Sequence, residues 1–352
     1  MISFVCQQVP VRVVFRPGAA GDLISEAVRL EARRLLVVTS AGARRRLEPI
    51  IAALGKTCVG IFDGAQTHCP QEVADAARAR AREVAADAVI AIGGGSTLGL
   101  GKILAVKDGL PWIAVPTTYC GSEMTRIYGM KMGTEKRTWA DDAAFARTAV
   151  YDPELTLSLP APVTATSGMN GLAHAVEALY AQNRNPLAML LAEESARSFA
   201  RALPACVGDG HDRDARSLAL YAAWLGGMVV SLSGIALHHR LCHVLGGHFG
   251  VPHGASNSIV LPHVVAYNAP AAGPAIAALS RALNCAEPAG ALYDLARTLG
   301  APASLRELGV DRAGLDAVAA ETVATLKYNP RPVDAASLRR LLDDAYEGRR
   351  PA

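Results

Sequence analysis

Histidine residues concentrate in one stretch of the chain. Five of the nine His lie between His238 and His253. His239 and His243 are four residues apart, a spacing that puts both side chains on one face of a helix, and His253 follows within Pro252-His253-Gly254. Imidazoles that cluster in apolar sequence indicate either a metal site or proton handling.

A second pair of polar residues has the same helical spacing. Asn170 and His174 stand at positions i and i+4, so their side chains can converge on one point. A single His on an apolar helix is more often structural, and we expect this for His238 and His248. A glycine-rich break is expected at Gly246-Gly247, between the two parts of the histidine stretch.

A glycine loop lies in the first half of the chain. Gly93-Gly94-Gly95-Ser96 follows the apolar run Asp87 to Ile92 and opens the helical pattern Thr97 to Val106. Backbone amides at a helix N-terminus bind anions, so this loop can hold the pyrophosphate of a dinucleotide. A plain tight turn is the alternative, and the strand before and the helix after the loop favour the phosphate site.

Hydroxyl side chains follow the next apolar run. Trp112 to Pro116 is succeeded by Thr117, Thr118 and Tyr119. Ligands of open parallel sheets collect at the carboxyl ends of the strands, so these hydroxyls can meet a cofactor. A turn that caps the following segment is the alternative interpretation.

The surrounding elements suggest two domains. Four strands are predicted within residues 1–155, and apolar strands that alternate with helices indicate a parallel sheet covered on both faces. These strands are Arg34–Thr39, Cys58–Phe62, Asp87–Ile92 and Trp112–Pro116. Residues 156–352 show only helical patterns, among them Gly171–Tyr180, Pro186–Leu203, Arg216–Ser231 and Ala272–Leu283. We therefore predict an α/β dinucleotide-binding domain followed by an all-α domain that carries the histidines.

Composition excludes several classes of function. The 352 residues carry a net charge of only +3, without a basic stripe, which argues against nucleic acid as a partner. No run of about eighteen apolar residues and no basic-then-apolar leader is present, so neither a membrane span nor a secretory signal is expected. The seven Cys form no C-x-x-C pair, which fits a reducing cytoplasm.

Taken in order, these motifs resemble the iron-type alcohol dehydrogenase family, and the resemblance covers nearly the whole chain. It is carried by Gly93-Gly94-Gly95-Ser96, Pro116-Thr117-Thr118, the segment Thr166 to Tyr180, and His239-x-x-x-His243 with Pro252-His253-Gly254. The resemblance implies the dehydroquinate synthase-like architecture of that family. It also implies an active site in the cleft between an α/β domain and a helical domain.

Two positions depart from the pattern of that family. Its members bind iron or zinc through an Asp and three His, and the matching positions here are Asn170, His174, His239 and His253. Gly99 also stands where the glycine-loop motif usually has an Asp. Because Asn is a neutral and poorer ligand than a carboxylate, we expect no bound metal, although three His alone can hold zinc.

Both departures are similar to the maleylacetate reductase branch of the family, as are residues 117–125 and Tyr328-Asn329-Pro330-Arg331-Pro332. The resemblance implies reduction of the carbon–carbon double bond of maleylacetate by NADH or NADPH, giving 3-oxoadipate in the degradation of aromatic compounds. A metal-dependent alcohol or aldehyde oxidoreductase is the alternative. A non-catalytic nucleotide-binding protein is a third hypothesis, which the four retained imidazoles oppose.

The same resemblance suggests roles for individual residues and a small dicarboxylate substrate, and the family's habit suggests a homodimer. The expected catalytic residues are His243, His253, His239, His174 and Tyr119. The expected substrate contacts are Asn170, Thr118, Tyr119, Tyr328 and Arg331. The expected cofactor contacts are Ser40, Gly93, Gly94, Gly95, Ser96, Thr117, Thr118 and Lys136.

Overall fold

The computed structural model describes residues 3–133 and 135–351, except for the side chains of Glu135 and Lys136. The chain forms two compact units, of which the first is Val9–Leu157. The second begins at Ser158 and includes the segment that ends at Gln8. The sequence predicted a division near residue 155 with the N-terminal segment in the first domain. That segment instead joins the helical unit, where Ser3 and Phe4 line a cavity with Gln182 and Met189.

The first unit is built on a six-stranded sheet with the order β1-β8-β5-β4-β2-β3, and every pairing in it is parallel. Its strands are β1 Arg12–Phe15, β2 Leu35–Val38, β3 Cys58–Phe62, β4 Ala88–Gly93, β5 Trp112–Pro116 and β8 Thr148–Tyr151. The hairpin β6 Ile127–Met132 and β7 Glu135–Ala140 is separate and antiparallel. The helices are α1 Leu23–Arg29, α2 Ala41–Arg44, α3 Glu48–Ala53, α4 Gln71–Glu83 and α5 Gly95–Asp108.

The four predicted strands are confirmed, with ends that differ by at most two residues. Strands β2, β4 and β5 are fully buried, as parallel strands covered on both faces should be. The prediction of four strands was incomplete, because β1 and β8 extend the sheet and the hairpin was not expected. Strands of four residues give little periodic signal, and β1 is also partly exposed.

The second unit contains helices and no strand among its described residues. Its helices are α6 Ala161–Ala178, α7 Pro186–Gly208, α8 Arg213–Ser233, α9 Leu237–Phe249, α10 His253–Asn268, α11 Gly273–Leu283, α12 Pro288–Thr298, α13 Leu315–Thr325 and α14 Ala335–Glu347. The predicted all-α fold is confirmed. Helix α8 is long and apolar enough to cross a membrane, but 67% of its most apolar window is buried, as expected of a core helix.

The predicted break at Gly246-Gly247 is wrong. Helix α9 continues through both glycines to Phe249. Gly250 follows as the C-cap in the left-handed region, with a φ of 66°. Two helical glycines cost only about 2 kcal/mol together. Burial of the neighbouring Val244 and Leu245 in the core outweighs that cost.

Helix α10 lies very close to α6. A Cβ atom at Gly254 would lie 3.0 Å from the backbone oxygen of Thr166, so only glycine allows this approach without a shift of the backbone. The contact joins the first turn of α10, which begins with His253, to the helix that carries Asn170 and His174. Small residues thus bring the predicted site residues of separate helices together.

Candidate active site

The glycine loop and the hydroxyl turn are in direct contact at the carboxyl ends of β4 and β5. The backbone N–H of Thr117 donates to the Gly93 oxygen at 3.0 Å. A Cβ at Gly94 would lie 3.0 Å from Cγ2 of Thr118, and a Cβ at Gly93 would lie 2.5 Å from Oγ1 of Thr97. The structure therefore brings the predicted residues of these two loops together, with the exposed Gly95 at the start of α5.

Other predicted site residues of this unit lie in different settings. Ser40 follows β2, occupies the N-cap position of α2 and bridges to Gly64. Tyr119 is fully buried. Lys136 pairs with Lys131 in the hairpin, but its side chain lies outside the described residues, so the proposed contact stays a prediction.

The thiol of Cys69 lies beside Gly99, the position at which the family motif has an aspartate. Sγ of Cys69 donates to the backbone oxygen of Ser96 at 3.2 Å. A Cβ built at Gly99 would lie only 2.8 Å from that sulfur. Any side chain at position 99 therefore requires the Cys69 thiol to leave its hydrogen bond.

The predicted histidines come together in the helical unit. The rings of His174 and His239 stack with centroids 4.5 Å apart, and those of His243 and His253 stack at 5.3 Å. The His239 centroid lies 6.5 Å from that of His243 and 6.2 Å from that of His253. His239 is thus the central ring of a four-imidazole cluster from α6, α9 and α10.

A buried carboxylate that the sequence analysis missed orients this cluster. Glu177 lies on α6 and is fully buried. One of its oxygens accepts the Nδ1–H of His239 at 2.7 Å and the N–H of Ala236 at 3.1 Å, while the other accepts the N–H of His238 at 2.7 Å. Ala236 has no side chain that can cap α9, so Glu177 replaces the missing N-cap.

The charge state of this carboxylate follows from its partners. Burial raises the pKa of Glu177, but the hydrogen bond from His239 and the neighbouring imidazoles outweigh burial, so the pKa lies below its usual range. An ionised Glu177 holds the proton of His239 on Nδ1. Its Nε2 then presents a lone pair, the arrangement common in metal-binding histidines. A signal was available in the sequence, since Glu177 follows His174 by three positions on the same helical face.

Two buried atoms of the cluster have no hydrogen-bond partner in the described part of the chain: Nε2 of His239 and Oδ1 of Asn170. Their residues are 2% and 7% exposed, whereas His174, His243 and His253 are partly exposed. A buried polar atom without a partner is costly. Each of these atoms can therefore accept a proton donor, a cation or a polar substrate group.

The two histidines expected to be structural differ from each other. His248 is exposed and pairs with Glu321 at 2.8 Å. His238 is fully buried, its Nε2 lies 3.2 Å from the backbone oxygen of Asn257, and burial lowers its pKa to about 3. A substitution of His238 would thus disturb packing. A substitution of the exposed His248 should not, so His248→Ala serves below as the control variant.

The predicted substrate residues near the C-terminus are engaged with α10. Nη1 of Arg331 donates to the backbone oxygen of Tyr267 at 2.8 Å, and its guanidinium lies 4.3 Å from the centre of the Tyr267 ring. Asn329 exchanges hydrogen bonds with Asn268 at 3.0 and 2.7 Å. These contacts fix the segment, and substrate binding by Tyr328 and Arg331 stays a prediction.

We predict that Glu177→Gln destabilises the helical unit and changes the tautomer of His239. The amide can replace only one carboxylate oxygen, so at least one buried donor loses its acceptor, at a cost of about 1–3 kcal/mol. Denaturant unfolding measures the stability, and nitrogen chemical shifts of the imidazole measure the tautomer. The matched control His248→Ala should stay within about 0.5 kcal/mol of the unsubstituted protein. An unchanged His239 tautomer would contradict the role given to Glu177.

Comparison with known proteins agrees with both units. The sequence profile described as iron-containing alcohol dehydrogenase matches residues 10–153, and the profile described as Fe-containing alcohol dehydrogenase family, C-terminal, matches residues 164–346. The maleylacetate reductase of Sphingobium indicum is 45% identical over 350 residues, with 99% of each chain covered. That of Delftia acidovorans is 43% identical over 351 residues, again with 99% of each covered.

A solved structure has the same fold. The crystal structure of maleylacetate reductase from Agrobacterium tumefaciens superimposes with a TM-score of 0.95 at 41% identity and covers 100% of both chains. The parallel-sheet unit and the helical unit are therefore those expected from the resemblance in sequence. This chain belongs to the iron-containing alcohol dehydrogenase family.

Proposed function

We propose that the protein reduces the carbon–carbon double bond of maleylacetate to give 3-oxoadipate, with NADH or NADPH as the hydride donor. The observation that carries this proposal is identity of 41–45% over at least 97% of the chain to maleylacetate reductases. The test is loss of NADH absorbance on addition of maleylacetate, with 3-oxoadipate identified as the product. No turnover with this substrate would overturn the proposal.

The chemistry places specific demands on the site. Hydride adds to the alkene carbon β to the ketone, the π electrons move to the ketone oxygen, and an enolate forms. A proton then adds to the carbon next to the ketone, and NADH leaves as NAD⁺. The enzyme must therefore bind the cofactor, stabilise the enolate oxygen and supply one proton.

The histidines of the helical unit meet the second and third demands. His243 and His253 are partly exposed and stacked, so a charged form of one opposes the charging of the other. One protonated ring can donate a hydrogen bond to the enolate oxygen. His239 is better suited as an acceptor, because Glu177 already holds its Nδ1 proton.

The family description implies iron, and the donor set is compatible with a divalent cation. Asn170, His174, His239 and His253 would hold it, since Nε2 of His239 is buried, presents a lone pair and lacks a partner in the described chain. A cation bound there would polarise the ketone oxygen as a Lewis acid. The set contains three neutral imidazoles and a neutral amide but no anion, so we propose that binding is weak and that turnover does not depend on it.

We predict little iron or zinc in the purified protein, with activity retained after chelation. Asn170→Asp should retain at least about tenfold more zinc after dialysis, because it adds an anionic ligand. Plasma mass spectrometry measures the metal content independently of activity. Stoichiometric metal whose removal abolishes turnover would contradict this prediction and favour a metal-dependent alcohol or aldehyde oxidoreductase.

We predict that His243→Ala lowers kcat by about 10²–10⁴-fold while the NADH Kd stays nearly unchanged. The imidazole stabilises charge that exists only as hydride arrives, so its loss affects the transition state more than cofactor binding. The measurements are kcat, NADH Kd and Tm on one preparation. His248→Ala, on the same helix but exposed and paired with Glu321, is the control. A near-normal kcat would remove His243 from the mechanism.

We predict that NADH and NADPH are both used. No acidic side chain occurs in Ser40-Ala41-Gly42-Ala43-Arg44 after β2, where a carboxylate would repel the 2′-phosphate. Arg44 pairs with Glu48 and can attract the phosphate. Arg44→Ala should therefore weaken the binding of NADPH more than the binding of NADH. A preference for NADH above about a hundredfold in kcat/KM, close to 3 kcal/mol, would show that another group excludes the phosphate.

The cellular setting is also part of the proposal. All seven cysteines are free thiols, which agrees with a reducing cytoplasm. We propose a cytoplasmic enzyme that acts on a small dicarboxylate, and a homodimer by analogy with the family.

A further inference from the structure

A lysine is buried on the helix that follows the glycine loop. Gly95, Gly99 and Lys102 lie on one face of α5, at positions i, i+4 and i+7. Lys102 is 1% exposed, and its Nζ donates to Oγ1 of Thr125 at 2.8 Å and to the backbone oxygen of Ile127 at 2.7 Å. Burial lowers its pKa to about 7, against the attraction of Glu123. An ammonium group is costly to bury, so its contacts require an explanation.

A carboxylate is buried beside the same segment. Glu123 is fully buried, and its Oε1 accepts the Tyr151 hydroxyl at 2.7 Å. Its Oε2 has no hydrogen-bond partner within the described residues. Burial raises the pKa of Glu123 while Tyr151 and Lys102 oppose the rise. The nearby thiol of Cys120 is half-buried, and burial raises its pKa.

These contacts hold the far end of the hydroxyl turn. Lys102 attaches residues 125–127 to α5, while Tyr151, the last residue of β8, holds Glu123. The near end is held by the Thr117 hydrogen bond to Gly93. The turn between these anchors contains Thr117 and Thr118, which touch the glycine loop.

We propose that Lys102 and Glu123 are positioning residues for the nicotinamide cofactor: they lock the hydroxyl turn to α5, so that the glycine loop and the two threonines form one preorganised binding surface. This inference rests on the proposed use of NADH. It assigns the two buried charges to cofactor affinity and leaves the enolate chemistry to the histidines.

The experiment measures NADH binding by fluorescence titration, together with Tm and steady-state kinetics. Lys102→Met removes both hydrogen bonds from the segment, and Glu123→Gln replaces the carboxyl group beside them by an amide. Each should raise the NADH Kd by about tenfold or more, which corresponds to about 1.4 kcal/mol or more of binding free energy. At saturating NADH, kcat should recover to within about twofold. In the double variant, the change in binding free energy should be smaller than the sum of the two single changes, because both residues act on one turn.

Glu26→Gln is the matched control. Glu26 is a buried carboxylate of the same unit, and it accepts hydrogen bonds from Arg12 and Thr148 at 3.0 and 3.1 Å. Arg12 and Thr148 are the first residues of β1 and β8, at the amino ends of these parallel strands. The glycine loop follows the carboxyl end of β4. Its substitution should lower Tm while the NADH Kd stays within about twofold.

Folded Lys102→Met and Glu123→Gln proteins that bind NADH as tightly as the unsubstituted protein would overturn the inference, as would an equal loss of affinity in Glu26→Gln. If either variant fails to fold, Tyr151→Phe removes one hydroxyl from the same anchor, and an unchanged Kd there would count equally against it. Failure of the proposed function is distinguishable, because the unsubstituted protein would then bind no NADH or would not turn over maleylacetate.

Discussion

The helical unit depends on one ionised carboxylate in its interior. Glu177 accepts N–H groups at the start of α9 and the Nδ1 proton of His239. Hydrogen bonds to a charged acceptor are worth about 1.5–3 kcal/mol each, and removing the acceptor leaves buried donors unsatisfied. The same group therefore fixes where α9 begins, how it is placed against α6 and which nitrogen of His239 is available. The geometry of the histidine cluster and the stability of α9 cannot be separated in this part of the molecule.

The substitution of a carboxylate by Asn170 changes the electrostatics of the histidine cluster as well as its ligands. An aspartate there would add a negative charge in a buried place, and a substrate with two carboxylates would be repelled by it. The amide keeps an acceptor oxygen of similar size without that charge. Glu177 does carry a carboxylate next to the cluster, but it lies on the Nδ1 side of His239, where N–H groups of Ala236, His238 and His239 stabilise it. A neutral amide at position 170 is thus better suited than a carboxylate to the anionic substrate proposed above.

Much of the arrangement follows from local sequence. The i, i+4 spacing of His239 with His243 predicted that these side chains share a face, and their ring centroids lie 6.5 Å apart. The same spacing predicted a shared face for Asn170 and His174, which both lie on α6. The glycine loop was predicted from an apolar strand before it and a helix after it. Glu177 was missed because its partner His239 is 62 positions away. A single acidic residue on a helix ordinarily faces solvent.

The same limit applies to Lys102 and Glu123, whose burial depends on how β5, β8 and α5 pack. The wrong break at Gly246-Gly247 has the opposite origin: a local preference was overridden by burial of the flanking side chains. Strand β8 was missed since four residues carry too short a pattern, although it lies in the interior of the sheet.

The contact between Cys69 and position 99 has an evolutionary consequence. With a Cβ at Gly99 only 2.8 Å from the sulfur, the aspartate usual in the family motif cannot return while Cys69 keeps its position. Substitutions at 69 and 99 are therefore coupled: a side chain at position 99 requires the Cys69 thiol to move or a smaller residue to replace it.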